Sequence, residues 1–252
     1  MIKLVASCLL MCNTYIYESL TYSLSSKKKM SQTLTSNPVS SPYAMYKEET
    51  KVALLPYEVL RVASQFVSKD ESKYLLQGIH LKVNKNQILI GSTDGHRMFY
   101  FQFPINVLGF ELKKDITIPG SIFKTQVKNA TRVYITDDLI TFQDEQIKLS
   151  SVPYREIVGT YPNILQLIPE KFTNNFEGKE FTFNCDYVGQ FCNQVKKLSS
   201  NKGITFNGNT SKTPFIISAK WDIKNPFEDL EGFEAKLNYL IMPIVNLDRN
   251  KK

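Results

Sequence analysis

From Lys51 onward, one pattern recurs three times: a short β-rich run, a proline or polar cap, an amphipathic helical stretch, then alternating strands. The helical stretches can start at Pro56, Ser121 and Asp186, which are equally spaced, and equal spacing argues for repeated units. In the first, Val59, Leu60, Ala63, Phe66 and Val67 form one apolar stripe behind a proline suited to a first turn. In the second, Phe123, Val127 and Ala130 follow a Ser121 cap. In the third, Val188, Phe191, Cys192 and Val195 follow an Asp186 cap. Gln87–Gly91 and Met98–Phe103 flank the turn residues Asp94-Gly95, and Val133–Thr136 and Leu139–Gln143 flank Asp137-Asp138, so both segments read as hairpins. Strands that feed a short helix and return as meanders predict an α+β fold, with helices on one face of antiparallel sheets.

Composition narrows the function. The chain has 252 residues, 42% hydrophobic, and its 31 Lys and Arg against 24 Asp and Glu give a net charge of +7, which suits a polyanionic partner such as nucleic acid and equally a mildly basic globular protein. Its cysteines, Cys8, Cys12, Cys185 and Cys192, have no CxxC or CxxH spacing that completes a zinc site, and its two histidines, His80 and His96, are not at ligand spacing. No metal or cofactor is expected. No P-loop, GxSxG or recurring carboxylate cluster is present, and Asp94 and His96 have no nucleophile or orienting group beside them, so a non-enzyme is expected with no catalytic residue. The apolar run Leu4–Met11 is too short to span a membrane and is followed by Lys27-Lys28-Lys29, which argues against a secretory signal and for a cytoplasmic protein. Residues 1–50 are expected to be an N-terminal extension, either disordered or with a mis-assigned start whose true position is Met30.

Tyr74-Leu75-Leu76-Gln77-Gly78-Ile79, followed by Ile88-Leu89-Ile90-Gly91-Ser92-Thr93-Asp94-Gly95-His96-Arg97-Met98, resembles the middle domain of bacterial DNA sliding clamps, the β subunit of the replicative polymerase. Tyr161-Pro162-Asn163 with Leu167-Ile168-Pro169 looks like that family's interdomain connector, and Tyr239-Leu240-Ile241-Met242-Pro243-Ile244 like its closing strand. The resemblance implies a DNA-clamp fold of βαβββ half-units. It suggests one complete clamp domain over 51–165 and a truncated one over 166–252, with about one half-unit missing and no counterpart of the family's first domain.

The resemblance also implies two surfaces. A peptide-binding cleft for short linear motifs would comprise Leu76, Thr93, Gly95, His96, Arg97, Met98, Pro162, Leu167, Leu240 and Met242. Apolar Leu, Met and Pro suit its floor, and flexible methionine suits varied ligands. By residue type alone, Asp94-Gly95 is equally a plain hairpin turn, and Leu76, Leu167 and Met242 are equally core. A DNA-facing surface would comprise Arg61, Lys69, Lys73, Tyr74, Lys124, Lys128, Lys196 and Lys197, attracting phosphates without reading bases. Tyr74 matches an aromatic that family members place near DNA, while Leu75 stands where a second tyrosine is often found. The implied function is a processivity factor that encircles duplex DNA, as a homo-oligomer, and binds DNA polymerase, clamp-loader or repair proteins. The alternative is a non-encircling adaptor that competes with a full-length clamp for the same peptides.

Overall fold

In a computed structural model of the chain, which describes residues 53–84, 87–104, 114–144, 147–174, 180–210, 212–222 and 234–244, the first apolar run forms strand β1 (Ala53–Pro56). Pro56 ends it. Proline has no N–H to donate to a ladder, and its restricted φ, here −66°, suits the entry to a helix. Helix α1 (Tyr57–Ala63) follows. After a capped and kinked 3-10 stretch (Glu71–Gln77), the chain lays down a meander of β2 (Gly78–Asn84), β3 (Gln87–Thr93) and β4 (Arg97–Pro104). The second unit contributes β5 (Ile116–Pro119), a 3-10 turn (Gly120–Phe123), β6 (Arg132–Ile135), β7 (Leu139–Asp144) and β8 (Ile147–Pro153). A connector bearing the one-turn helix α2 (Ile164–Leu167) leads to helix α3 (Cys185–Leu198), then β9 (Thr205–Asn207), β10 (Phe215–Lys220) and β11 (Lys236–Ile241).

Both expected hairpins form, and every strand pairing among the described residues is antiparallel. One sheet has the order β1-β6-β7-β8 and the other β5-β2-β3-β4-β11-β10-β9. The first two units therefore exchange their leading strands: β1 pairs with β6 of the second unit, and β5 pairs with β2 of the first. The third unit extends the first unit's sheet through the pairing of β11 with β4. The α+β, antiparallel architecture is as the sequence predicts.

The helices differ from expectation in three ways. Helix α1 is not one-sided, because every residue in it except Arg61 is buried and it contacts β1 and β6 of one sheet and β3 and β4 of the other. Phe66 and Val67, expected on its stripe, are buried beyond its end.

The second helix is a single 3-10 turn capped at Pro119, with Ser121 inside it and exposed. The buried Tyr57 hydroxyl accepts from Val127 N–H at 2.9 Å and donates to the Thr125 carbonyl, taking backbone groups a continuing helix would pair internally. Asn129, at φ 63°, then turns the chain into β6.

The third helix is capped by Asn184, not Asp186: the Asn184 side chain accepts from the backbone N–H groups of Asp186 and Tyr187. Its buried face is Phe191, Val195 and Leu198, with Phe191 stacked on Tyr239 at 5.1 Å between ring centroids.

One large core fills the space bounded by both sheets, α1 and α3, with Phe66, Phe99, Phe142 and Trp221 among its largest members. A smaller cluster lies on the other face of the seven-stranded sheet, beneath the connector. The N-terminal extension, residues 1–50, lies outside the described residues.

Candidate functional site

The Thr93–Arg97 string builds a turn that satisfies its own backbone. Asp94 Oδ1 accepts from His96 N–H (2.9 Å) and Arg97 N–H (3.2 Å), while Thr93 Oγ1 accepts from Gly95 N–H and donates to the Arg97 carbonyl. Gly95 sits at φ +95°, a region that side chains with a Cβ rarely adopt. The turn is thus rigid before any ligand arrives, and it leaves His96 exposed.

Strand parity then sorts the neighbouring side chains. Met98 pairs across with Thr93 on β3 and with Leu240 on β11. On this face Met98, Leu240, Leu89, Tyr100 and Ile216 pack with Tyr161 and Ile164 of the connector, and Leu76, Leu165, Ile168 and Phe172 are half-buried against them. Three segments far apart in sequence, the hairpin, the connector and the closing strand, thereby meet in one apolar cluster. Gly91 permits the approach: a Cβ there would lie 2.2 Å from Ile164 Cδ1. At the ends of α2 and β11, Leu167 and Met242 remain 47% and 45% exposed, so neither is a core residue. Met98 and Leu240, by contrast, are buried, as is Thr93, and Pro162 and Gly95 are exposed. Ile164, Tyr100, Leu89 and Ile216 were missed as members of this cluster. Tyr100 could have been found two residues from Met98 on the same strand, whereas Ile216 needed the sheet order.

Arg97 does not join that cluster. As the neighbour of Met98 on a strand, it projects to the opposite face, where its guanidinium lies over the rings of Tyr187 (4.4 Å) and Phe66 (5.5 Å) and its Nε donates to Asp94 Oδ2 at 2.9 Å. Its place in the cleft set is corrected accordingly.

The connector is held from below by a buried stack. The His80 and Tyr161 rings lie parallel at 4.6 Å, and His80 Nδ1 is 3.0 Å from Thr117 Oγ1. Burial holds the His80 imidazole below its usual pKa and pushes the Tyr100 hydroxyl up to about 12, so both are neutral near pH 7.

Among the basic residues, Lys69, Lys73, Lys124, Lys128, Lys196 and Lys197 are exposed. Arg61 is not a free cation: its Nε donates to Glu58 at 2.6 Å, and both side chains are largely buried. Lys124 and Lys128 do not share a helix, because the chain leaves its 3-10 turn after Phe123. Tyr74 is 54% exposed, and its hydroxyl donates to the Val158 carbonyl. Among the described residues, no three His, Cys, Asp or Glu are grouped to hold a metal, and no helix is long and apolar enough to cross a membrane.

Residues 57–163 match the family model for the DNA polymerase III beta subunit, central domain. A beta sliding clamp from Synechocystis is 27% identical over 175 residues, 60% of this chain and 44% of that protein. One from Synechococcus elongatus is 32% identical over 133 residues, 47% and 33%. The fold resembles the DNA polymerase sliding clamp of Bacillus subtilis, with a TM-score of 0.52 at 18% identity, covering 79% of this chain and 65% of that one. It also resembles the DNA polymerase III subunit beta of Borrelia burgdorferi, with a TM-score of 0.54 at 15% identity, covering 84% and 66%. The chain spans less than half the length of these two curated relatives. With matching sequence in its central region and the matching fold around it, residues 57–163 are a central domain of the bacterial DNA sliding-clamp family, and the chain is a partial counterpart of that family's longer members.

Proposed function

We propose that this chain is a non-catalytic clamp component that takes short linear motifs of replication or repair proteins in an apolar groove and encircles duplex DNA as a homo-oligomer. The observation that carries the reading is the meeting of hairpin, connector and closing strand around Met98, Leu240 and Ile164, with exposed Leu167 and Met242 flanking that floor in the chain. A preformed apolar floor with a few exposed flexible side chains suits a peptide that anchors two or three apolar residues. Leu76, Thr93, Gly95, His96, Met98, Pro162, Leu167, Leu240 and Met242 remain the proposed groove. The exposed lysines at 69, 73, 124, 128, 196 and 197, together with Tyr74, suit a loose, sequence-independent contact with phosphates. On this reading 51–165 act as one whole clamp domain and 166–252 as a shortened one, in the cytoplasm.

Fluorescence anisotropy with a labelled clamp-motif peptide tests the groove. Binding should be saturable and lost in Leu167→Asp and Met242→Asp, both at exposed positions. Equal binding by these variants sinks the groove. Encirclement is tested separately by retention on nicked circular against linear duplex at raised salt. Equal retention on both leaves only electrostatic contact and refutes the ring.

A further inference from the structure

The connector crosses the groove face of the seven-stranded sheet as a strap fixed at both ends. At its start, Tyr154 N–H donates to the Asp138 carbonyl and the Tyr154 hydroxyl to the Thr136 carbonyl. At its far end, Thr173 N–H donates to Asn209 Oδ1, and the Asn174 side chain donates to Asn207 Oδ1 on β9. Between these ends two side chains seat it, Tyr161 on the His80 ring and Ile164 in the notch at Gly91. The register sets both contacts in one row of the sheet, because Thr117 of β5, His80 of β2, Gly91 of β3 and Tyr100 of β4 are successive partners. The next row is the groove floor, Thr93, Met98, Leu240 and Ile216.

His80 is the member of this seat whose charge can change near neutral pH. Its ring lies parallel to Tyr161, and its Nδ1 meets the Thr117 hydroxyl. The strap's Ile157 N–H donates to the carbonyl of the same Thr117 at 2.9 Å. Charged groups bear on the ring from three sides: Lys82 on its own strand, Asp115 ahead of β5 and Glu156 on the strap. Both carboxylates are engaged elsewhere, Asp115 with the Val83 N–H and Glu156 with Lys114 at 3.1 Å. Tyr161 above the ring and Tyr100 beyond Gly91 are kept neutral by burial. Desolvation outweighs the pull of the carboxylates, so the seated ring resists a second proton, whereas a ring opened to water takes it up at the ordinary value of 6.5. A proton therefore binds the lifted strap in preference to the seated one, and by linkage acid favours lifting.

We propose that His80 is a positioning residue that makes the seating of the strap proton-linked: acid lifts residues 157–164 from the sheet and, with them, the Pro162 and Leu167 side of the peptide groove. Seating is complete above the ordinary imidazole value of 6.5 and weakens as pH falls below it. Because the strap's ends are bonded to the β6–β7 hairpin and to β9 and the turn after it, the lifting is local and reversible. Only the consequence for peptides rests on the groove reading; the proton linkage stands without it. An imidazole of pKa 6.5 in water is protonated about ten to one at about pH 5.5, which caps the change in the lifting equilibrium at about tenfold.

The test is hydrogen exchange of the full chain, followed by NMR at about pH 7.5 and about pH 5.5 and read as protection factors, which remove the intrinsic pH dependence of exchange. The Ile157 amide should lose up to about tenfold of its protection in acid, while the Val127 amide, whose partner Tyr57 belongs to the large core, should not. His80→Phe and His80→Gln, neither with a titrating ring, should both abolish the Ile157 loss. A second arm adds clamp-motif peptide at about one hundred times its Kd, which should raise Ile157 protection about one hundredfold in acid, since the peptide binds the seated strap. No loss at Ile157, an equal loss in both His80 variants, or a loss shared equally by Val127 overturns the proposal, the last by making the opening global. A loss that depends on His80 but that bound peptide does not reverse overturns the strap's control of the groove. A peptide that binds at neither pH refutes the groove reading alone, and the exchange comparison between the chain and its His80 variants then still decides the proton linkage.

Discussion

Gly91→Ala isolates the contact that seats the connector on the sheet. A methyl group at this position would lie 2.2 Å from Ile164 Cδ1, against an ordinary carbon–carbon contact of about 3.5–4.0 Å. Ile164 is 1% exposed, so its side chain has little room to retreat. Forcing it off its rotamer costs about 0.5–1.5 kcal/mol. Lifting α2 until Ile164 is wetted costs about 1.5–3 kcal/mol. Removing glycine's freedom from the unfolded chain works the other way, by about 0.4–1 kcal/mol. The net expectation is a loss of roughly 1–2 kcal/mol. Ile164→Val deletes the obstructing methyl at a cost of about 0.5–1.5 kcal/mol by itself. In the double variant the clash is gone, so it should be more stable than the sum of the two losses by about 1 kcal/mol or more. The assay is urea unfolding followed by the fluorescence of Trp221, the single tryptophan, which is buried and packed edge-on to Phe101. Losses that add to within about 0.3–0.5 kcal/mol would refute the idea that this contact docks the connector.

Three other perturbations have defined outcomes. Asn184→Ala removes the side chain that accepts from two N–H groups of α3, and should cost about 0.5–2 kcal/mol in urea unfolding, whereas Asp186→Ala should cost less. Tyr57→Phe strands the Val127 N–H that its hydroxyl satisfies, with an expected loss of about 1–3 kcal/mol and faster amide exchange at Val127. Burial depresses the folded pKa of His80, with smaller influences from Asp115 and Glu156 that oppose it and from Lys82 that adds to it. The unfolded chain therefore takes up the proton first on acidification: stability from this group is complete above the ordinary value of 6.5 and is lost as pH falls through the folded value. Thermal melts between about pH 8 and pH 5 should show a decline that is shallower in His80→Phe, and an equal slope in that variant would remove His80 as its source.

Much of the fold was legible because its signals are local. The two hairpins follow from alternating runs around Asp94-Gly95 and Asp137-Asp138, and the presence of α1 from helical period, although not its burial on both sides or its end at Ala63. The second helix was misread because what stops it is remote: the Tyr57 hydroxyl, from the first unit, takes the Val127 N–H. No periodicity carries that information. Arg97 was a different kind of error, since residues adjacent on a strand face opposite ways, and parity alone separates it from Met98. The family resemblance brought Met98, Leu240 and the connector together on paper, but it did not divide them by burial. Met98 is enclosed, while Leu167 and Met242 are open to solvent, so an acidic substitution at Met98 would test folding more than binding. The exchange of β1 and β5 between sheets and the His80–Tyr161 stack leave no mark that a single chain reveals.

That exchange governs the order in which the molecule can be made. During synthesis, β1 emerges before its partner β6 has been translated, and β2 waits for β5 to cover its outer edge. A nascent chain arrested after Pro104 would therefore hold three strands lacking a partner, Ala53–Pro56, Gly78–Asn84 and Arg97–Pro104, each a template for pairing with another copy. Neither of the first two units is a self-sufficient piece, and cutting the chain between them should give aggregating fragments that regain order only when combined.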